Sequence, residues 1–217
     1  MKEKTTSTQK ALNLWAIVLI VWSIYRASIK MPEWFDEFIA KPIVFILPVY
    51  YYIRKIDKKN FFADIYLDLK KILPDFLLGL VIAVFFIVSA FLANWLKAGK
   101  LFLKPQPNVC LLLFTIALAI ATAISEEVLS RGFVLKRLYQ ESKNIYTSSF
   151  FASLLFFFLH VPMLFTSNNI FGGLLLTFMV TDILLSLIIS FIFIQRKSLT
   201  LPILIHAFYN LIIILFI

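Results

Sequence analysis

Charge, glycine and cysteine are scarce in this chain of 217 residues. Only 15% of the residues are charged and 5 are glycines, whereas 61% are hydrophobic. Soluble domains are about one quarter charged and about half apolar, so this composition excludes a soluble globular protein. The few glycines exclude collagen-like and low-complexity chains. The single cysteine, Cys110, allows no intramolecular disulfide and therefore does not indicate a redox compartment.

The long apolar runs predict a membrane protein with all-α architecture. Each run approaches the roughly 20 apolar residues that cross a bilayer, and together they predict a polytopic bundle of about seven to eight transmembrane helices in one domain, 1–217. The predicted spans are 11–25, 39–53, 73–95, 109–126, 147–162, 171–194 and 199–217. The basic residues that give the net charge of +9 lie between these runs. This distribution fits contact with the anionic inner membrane face and not a nucleic-acid groove.

Basic residues also predict the orientation. With the N-terminus in the cytoplasm, 15 of the 21 Lys and Arg residues fall on inner segments, and the remaining 6 lie in 26–41 and 97–104. We therefore expect a multi-pass protein of the cell membrane with a cytoplasmic N-terminus. Residues 54–72 alternate lysines with large apolar side chains, a pattern typical of an amphipathic segment in the headgroup plane.

Two adjacent glutamates fall at the end of the fourth apolar run, where a buried charge needs a reason. On a helix, Glu127 lies one turn before Arg131 and shares its face, whereas Glu126 points about 100° away. This spacing allows Glu127 to be neutralised in an ion pair while Glu126 stays free for chemistry. The plain alternative is that headgroups solvate two acids at a cytoplasmic helix end.

Both histidines of the chain also lie in apolar runs. Phe156 and His160 share a helix face near the end of the fifth run, and His206 and Asn210 lie one turn apart in the last run. Each group alone is explained by packing or by hydrogen bonds between helices. Together with the glutamates, they supply a base, two imidazoles and an amide donor, which are the groups that hydrolysis needs. Simple spans place His160 farther out than Glu126, so one site requires the fifth helix to begin deeper or to tilt.

The three motifs resemble those of the CAAX protease and bacteriocin-processing family, also called the Abi or CPBP family. Its E-E-x-x-x-R, F-x-x-x-H and H-x-x-x-N/D elements match three segments in order, in a family-like core of residues 109–217. The matching segments are Glu126 to Arg131, Phe156 to His160, and His206 to Asn210. Ser130 departs from the aromatic residue that often precedes the arginine, and Ser186 and Ser190 stand where glycines are common.

The resemblance implies a membrane-embedded glutamate endopeptidase, related to type II CAAX prenyl endopeptidases. Because the sequence has no recognised zinc motif and holds a complete acid–base set, we expect that the enzyme needs no cofactor and no metal. Glu126, helped by His160, would activate a water, and His206 and Asn210 would stabilise the oxyanion. Glu127 and Arg131 would hold the architecture or assist. The expected partners are the lipid bilayer and a peptide or protein substrate, such as a bacteriocin or pheromone precursor.

Three other functions fit parts of the pattern. Some bacterial relatives are bacteriocin self-immunity proteins, which protect their producer with or without proteolysis. Two histidines and a glutamate also suit a zinc protease, although no H-E-x-x-H is present. A non-enzymatic transport or scaffold protein is the third alternative, and its main support is Asp182, an acid near the middle of the sixth run that belongs to none of the motifs.

Overall fold

The protein is an all-helical bundle in the computed structural model, which describes residues 5–99, 108–166 and 172–216. These ranges contain no strand, and eight helices account for most of them. The helices are α1 (Ser7–Ser28), α2 (33–56), α3 (Phe61–Asp64), α4 (Ile72–Ala98), α5 (Val109–Ser142), α6 (Ile145–Thr166), α7 (Gly172–Arg196) and α8 (Thr200–Phe216). The predicted all-α polytopic helix bundle is thereby confirmed, with eight helices among the described residues.

Five of these helices are long and apolar enough to cross a membrane. The spans are Ser7–Ser28, Leu69–Leu96, Val109–Ser142, Ile145–Pro162 and Met179–Arg196, and α8 is apolar but shorter. The predicted second span, 39–53, falls within α2, which is helical but is not among the five. Residues 100–104 of the predicted segment 97–104 and residues 167–170 of the loop expected at 163–170 lie outside the described residues, whereas residues 163–166 belong to α6.

Helix α2 is wider than a regular α-helix over much of its length. It contains the π-helical segments Asp36–Ala40, Pro42–Ile46 and Tyr52–Ile56. Pro42 and Pro48 lack the N–H that would bond to a carbonyl one turn earlier, and π-helical turns accommodate such interruptions and occur often at functional sites.

Helix α5 is one continuous helix of 34 residues, whereas the sequence predicted a span that ends at residue 126. Its middle part, Val128–Leu135, is π-helical. At about 1.5 Å per residue the helix is about 50 Å long, well beyond the roughly 30 Å of hydrocarbon. Glu126 therefore lies in the middle of a long helix and not at its end.

Segment 54–72 folds against the end of α5 that carries Lys136 and Arg137. It contains α3 and the short 3-10 helix Leu69–Lys71 instead of one continuous helix. Ile65 is buried, and a Cβ added at Gly132 of α5 would lie 3.0 Å from the Ile65 Cβ. Glycine at position 132 thus permits this close approach. Location of the segment in the headgroup plane stays a prediction.

The last helix brings the two halves of the bundle together. Helix α8 packs against α4, α5 and α7, while α6 packs against α1, α5 and α7. The motif-bearing helices α5, α6 and α8 therefore meet in the interior, with α7 beside them.

Candidate active site

Glu126 lies at the centre of a buried polar cluster between the helices. The residue is 4% exposed, and its two carboxylate oxygens have different surroundings. Oε1 accepts a hydrogen bond from Lys41 Nζ at 2.8 Å. Oε2 has no hydrogen-bond partner among the described residues and lies 3.5 Å from His160 Nε2 and 3.8 Å from His206 Nε2. One oxygen is therefore held, and the other faces both imidazoles.

Glu126 and His160 meet because α5 and α6 form an antiparallel hairpin. Lys143, with φ of 56°, turns the chain, and the Asn144 side chain accepts from the backbone N–H groups of Tyr146 and Thr147 to begin α6. Glu126 and His160 each lie 17 residues from Lys143. Equal distances along two antiparallel helices bring the two side chains to the same depth, so the difficulty with His160 disappears once α5 is known to continue past residue 126.

His206 contacts both glutamates. Its Nδ1 lies 2.9 Å from Glu127 Oε1, and its Nε2 faces Glu126 Oε2. Because a carboxylate only accepts, Nδ1 carries the proton. His160 is oriented in the same way, since its Nδ1 lies 3.3 Å from the Phe156 carbonyl oxygen. Both imidazoles therefore direct Nε2 at the same carboxylate oxygen.

Glu127 and Arg131 form the ion pair that their spacing predicts. Arg131 Nη1 donates to Glu127 Oε1 at 2.7 Å, and Nη2 donates to the Ser186 hydroxyl at 2.7 Å. The guanidinium also lies 4.2 Å from the centre of the Phe156 ring, whose edge packs on both histidines. Phe156 and Ser186 thus fix the arginine, and the arginine fixes Glu127.

A cavity of about 270 Å³ opens beside Glu126. His160, His206 and Asn210 contribute to its wall, and Glu33, which is exposed, also lines it. The six site residues predicted from the sequence therefore occupy one region, although Glu127 and Arg131 lie behind the cavity wall as supports. The catalytic and supporting roles of these six residues stay predictions.

Three cavity-lining residues of this cluster were absent from the predicted site. In the sequence, Lys41 falls among the basic residues of an outer segment, and Glu37 one turn before it belongs to none of the motifs. Asp182 is an acid inside a span that also lies outside the motifs, and its Oδ2 lies 3.7 Å from His160 Nδ1. A lysine inside an apolar run, one turn after a glutamate, is the signal that points to Lys41 and Glu37.

The fold and the site together define the class: a multi-pass membrane protein with a glutamate–histidine cluster in its interior. Residues 108–212 match the family model described as type II CAAX prenyl endopeptidase Rce1-like. These residues, just under half of the chain, hold all three motifs and belong to the CAAX protease family. The match supports a CAAX-type intramembrane protease in general. No curated protein is similar enough to the chain to match it.

Proposed function

We propose that the chain is an intramembrane endopeptidase in which Glu126 and His160 activate a water molecule. The observation that supports this proposal most is the carboxylate oxygen Oε2 of Glu126. It is buried, lacks a hydrogen-bond partner among the described residues, and faces two imidazole Nε2 atoms across 3.5 and 3.8 Å. A water that bridges these atoms would be held beside a base, which is the arrangement that general base catalysis requires.

In the proposed reaction, the water oxygen bonds to the scissile carbonyl carbon while Glu126 takes the water proton. The carbonyl oxygen becomes an oxyanion, which accepts hydrogen bonds from the Asn210 amide and from Nε2–H of a doubly protonated His206. The C–N bond then breaks, and the proton on Glu126 passes to the leaving amine. Glu127 balances the charge of His206 by accepting from its Nδ1.

Water must reach this site inside the bilayer, and the cavity offers a route. Its wall includes the exposed Glu33 as well as the half-buried Asn210. Polar side chains along the wall keep such a passage hydrated, because buried polar groups need partners. The same passage would admit the backbone of an extended peptide.

The proposed substrate is a peptide or protein at the membrane, either a bacteriocin or pheromone precursor or, as the family description suggests, a prenylated peptide. Self-immunity against a bacteriocin would use the same site with the bacteriocin as substrate. We further propose that no metal is needed. The Lys41 ammonium already supplies a positive charge to Glu126 at 2.8 Å.

The test is cleavage of a reporter library by purified protein in detergent. The library contains apolar peptides with and without a prenyl group, and mass spectrometry identifies the products. Glu126→Gln and His160→Ala should each lose about 10²–10⁴ in rate, the usual contribution of general base catalysis. Glu141→Gln makes the same chemical change at the exposed end of α5 and should retain activity. Cleavage by a folded Glu126→Gln protein at the parental rate would refute the proposal.

A further inference from the structure

Lys41 lies outside the three motifs and outside residues 108–212, yet it contacts the carboxylate proposed as the base. Its side chain belongs to a ring of four residues on α2 and α5, of which Lys41 and Glu126 are buried and Glu37 and Thr122 are half-buried. Lys41 Nζ lies 2.8 Å from Glu126 Oε1 and 2.8 Å from Glu37 Oε2, and the Thr122 hydroxyl donates to Glu37 Oε2 at 2.6 Å. Glu37 and Lys41 are one turn apart on α2, and Thr122 and Glu126 are one turn apart on α5, so the two helices close the ring.

We propose that Lys41, held in place by Glu37, is a positioning residue that fixes the orientation of the Glu126 carboxylate and keeps it ionised. The inference rests on the proposed function, since Glu126 is the group that Lys41 serves. It extends the site to the N-terminal half of the chain, to which the family motifs assign no role.

The orientation follows from how the two oxygens are occupied. An ammonium on Oε1 stops the carboxylate from rotating about its last bond, so Oε2 alone is left to face the histidines. The ionised state follows from burial. A carboxylate removed from water loses its charge unless a cation compensates, and Lys41 is the cation in direct contact with Glu126.

Several charged or titratable groups face Glu126, and their number makes its protonation sensitive to the loss of Lys41. They come from every helix that surrounds it: Lys41 and Glu37 of α2, Glu127 and Arg131 of α5, His160 of α6, Asp182 of α7 and His206 of α8. Because Glu126 Oε1 and Glu37 Oε2 each lie 2.8 Å from the same nitrogen, the two oxygens are no more than 5.6 Å apart. Without Lys41, the repulsion between two carboxylates this close would favour protonation of one of them.

Substitutions of Lys41 and of Glu37 should therefore shift the pH at which Glu126 is protonated in opposite directions. Lys41→Met removes the cation and keeps the length of the side chain, so Glu126 should take up its proton at higher pH. Glu37→Gln removes the competing anion and leaves the ammonium to Glu126, so protonation should require lower pH. A role limited to holding α2 against α5 would give no such opposite shifts.

The experiment is infrared titration of the purified full chain in detergent, in which the carbonyl stretching band of a protonated carboxyl reports protonation. The Glu126 band is assigned by its loss in Glu126→Gln. Relative to the parent, the titration midpoint should rise by about 1–3 pH units in Lys41→Met, the usual effect of an adjacent opposite charge. It should fall in Glu37→Gln and stay near the parental value in Lys41→Arg.

Lys136→Met is the matched control, because Lys136 is a buried lysine that pairs with a different carboxylate, Asp64. Its removal should leave the Glu126 midpoint unchanged. An unchanged midpoint in folded Lys41→Met, or a rise in Glu37→Gln, would overturn the inference. If Lys41→Met does not fold, Glu37→Gln alone decides. The titration uses no substrate, so a protein that titrates as expected but cleaves no peptide would refute the proposed function and leave this inference standing.

Discussion

Substitution by glutamine should have different effects on stability at the two adjacent glutamates, because the cations that they contact keep different partners afterwards. In Glu126→Gln, Lys41 loses one carboxylate but keeps Glu37 at 2.8 Å. In Glu127→Gln, Arg131 keeps the hydroxyl and the carbonyl of Ser186, which are neutral. The arginine is 1% exposed and Glu127 is 0% exposed, so the second substitution leaves a buried charge without its counter-ion.

The expected loss of stability in Glu127→Gln follows from that difference. Removing one partner of a buried ion pair costs about 3–5 kcal/mol, and His206 Nδ1 loses its charged acceptor in addition. For a chain of this size, 1 kcal/mol changes Tm by about 2–4 °C, so Glu127→Gln should lower Tm by about 6–20 °C. Glu126→Gln should melt within a few degrees of the parent and lose cleavage.

The assay is thermal unfolding in detergent beside the cleavage assay. Arg131→Ala should also lower Tm. The double variant Glu127→Gln/Arg131→Ala should cost less than the two single losses together, because the second change removes a group that the first has already stranded. Equal Tm values for the two glutamine variants, with equal loss of cleavage, would show that the glutamates act as a unit and that the division of labour is wrong.

The remaining predictions concern topology, metal and pH. In a Cys110→Ser background, a cysteine at Lys30 should react with an external impermeant reagent, and a cysteine at Lys58 should be protected from it. The reverse pattern would place the N-terminus outside. Exhaustive chelation should leave cleavage unchanged, and stoichiometric zinc whose removal stops cleavage would establish a metalloprotease. Burial alone would raise the pKa of Asp64, but the hydrogen bond and charge of Lys136, with neighbouring cations, hold it below its ordinary value. Asp64 therefore stabilises the fold above pH of about 4 and loses that contribution as pH falls further. Asp64→Asn should lower Tm at pH 7 and match the parent in strong acid. A Tm difference that persists in strong acid would contradict the assignment.

The helices and the motif-bearing cluster could be predicted from the sequence because each leaves a local signal. Apolar runs predict helices, and Glu127 with Arg131 shows the one-turn spacing of an ion pair that the structure contains. The ends of the helices are harder to predict from the sequence. The polar residues after Glu126 predicted the end of a span, yet α5 continues to Ser142, since segment 54–72 covers its charged end.

The part of the cluster that the sequence did not predict depends on contacts between distant segments. Lys41 and Glu126 are 85 residues apart, and no local pattern states that α2 lies against α5. The prediction of orientation assumes that Lys41 is an exposed charge of an outer segment, whereas the residue is only 7% exposed. Asp182 gave a signal as a membrane-buried acid, but its proximity to His160 became visible only when α6 and α7 were packed together.

The hairpin of α5 and α6 makes the site sensitive to chain length. One residue inserted into α6 before His160 would rotate the imidazole by about 100° and move it about 1.5 Å along the axis, away from Glu126. The same residue inserted at the turn beside Lys143 would lie outside both helices, and the loop would absorb it. Homologous chains that keep this chemistry should therefore vary in length at the turn and hold the count of residues constant on either side of it.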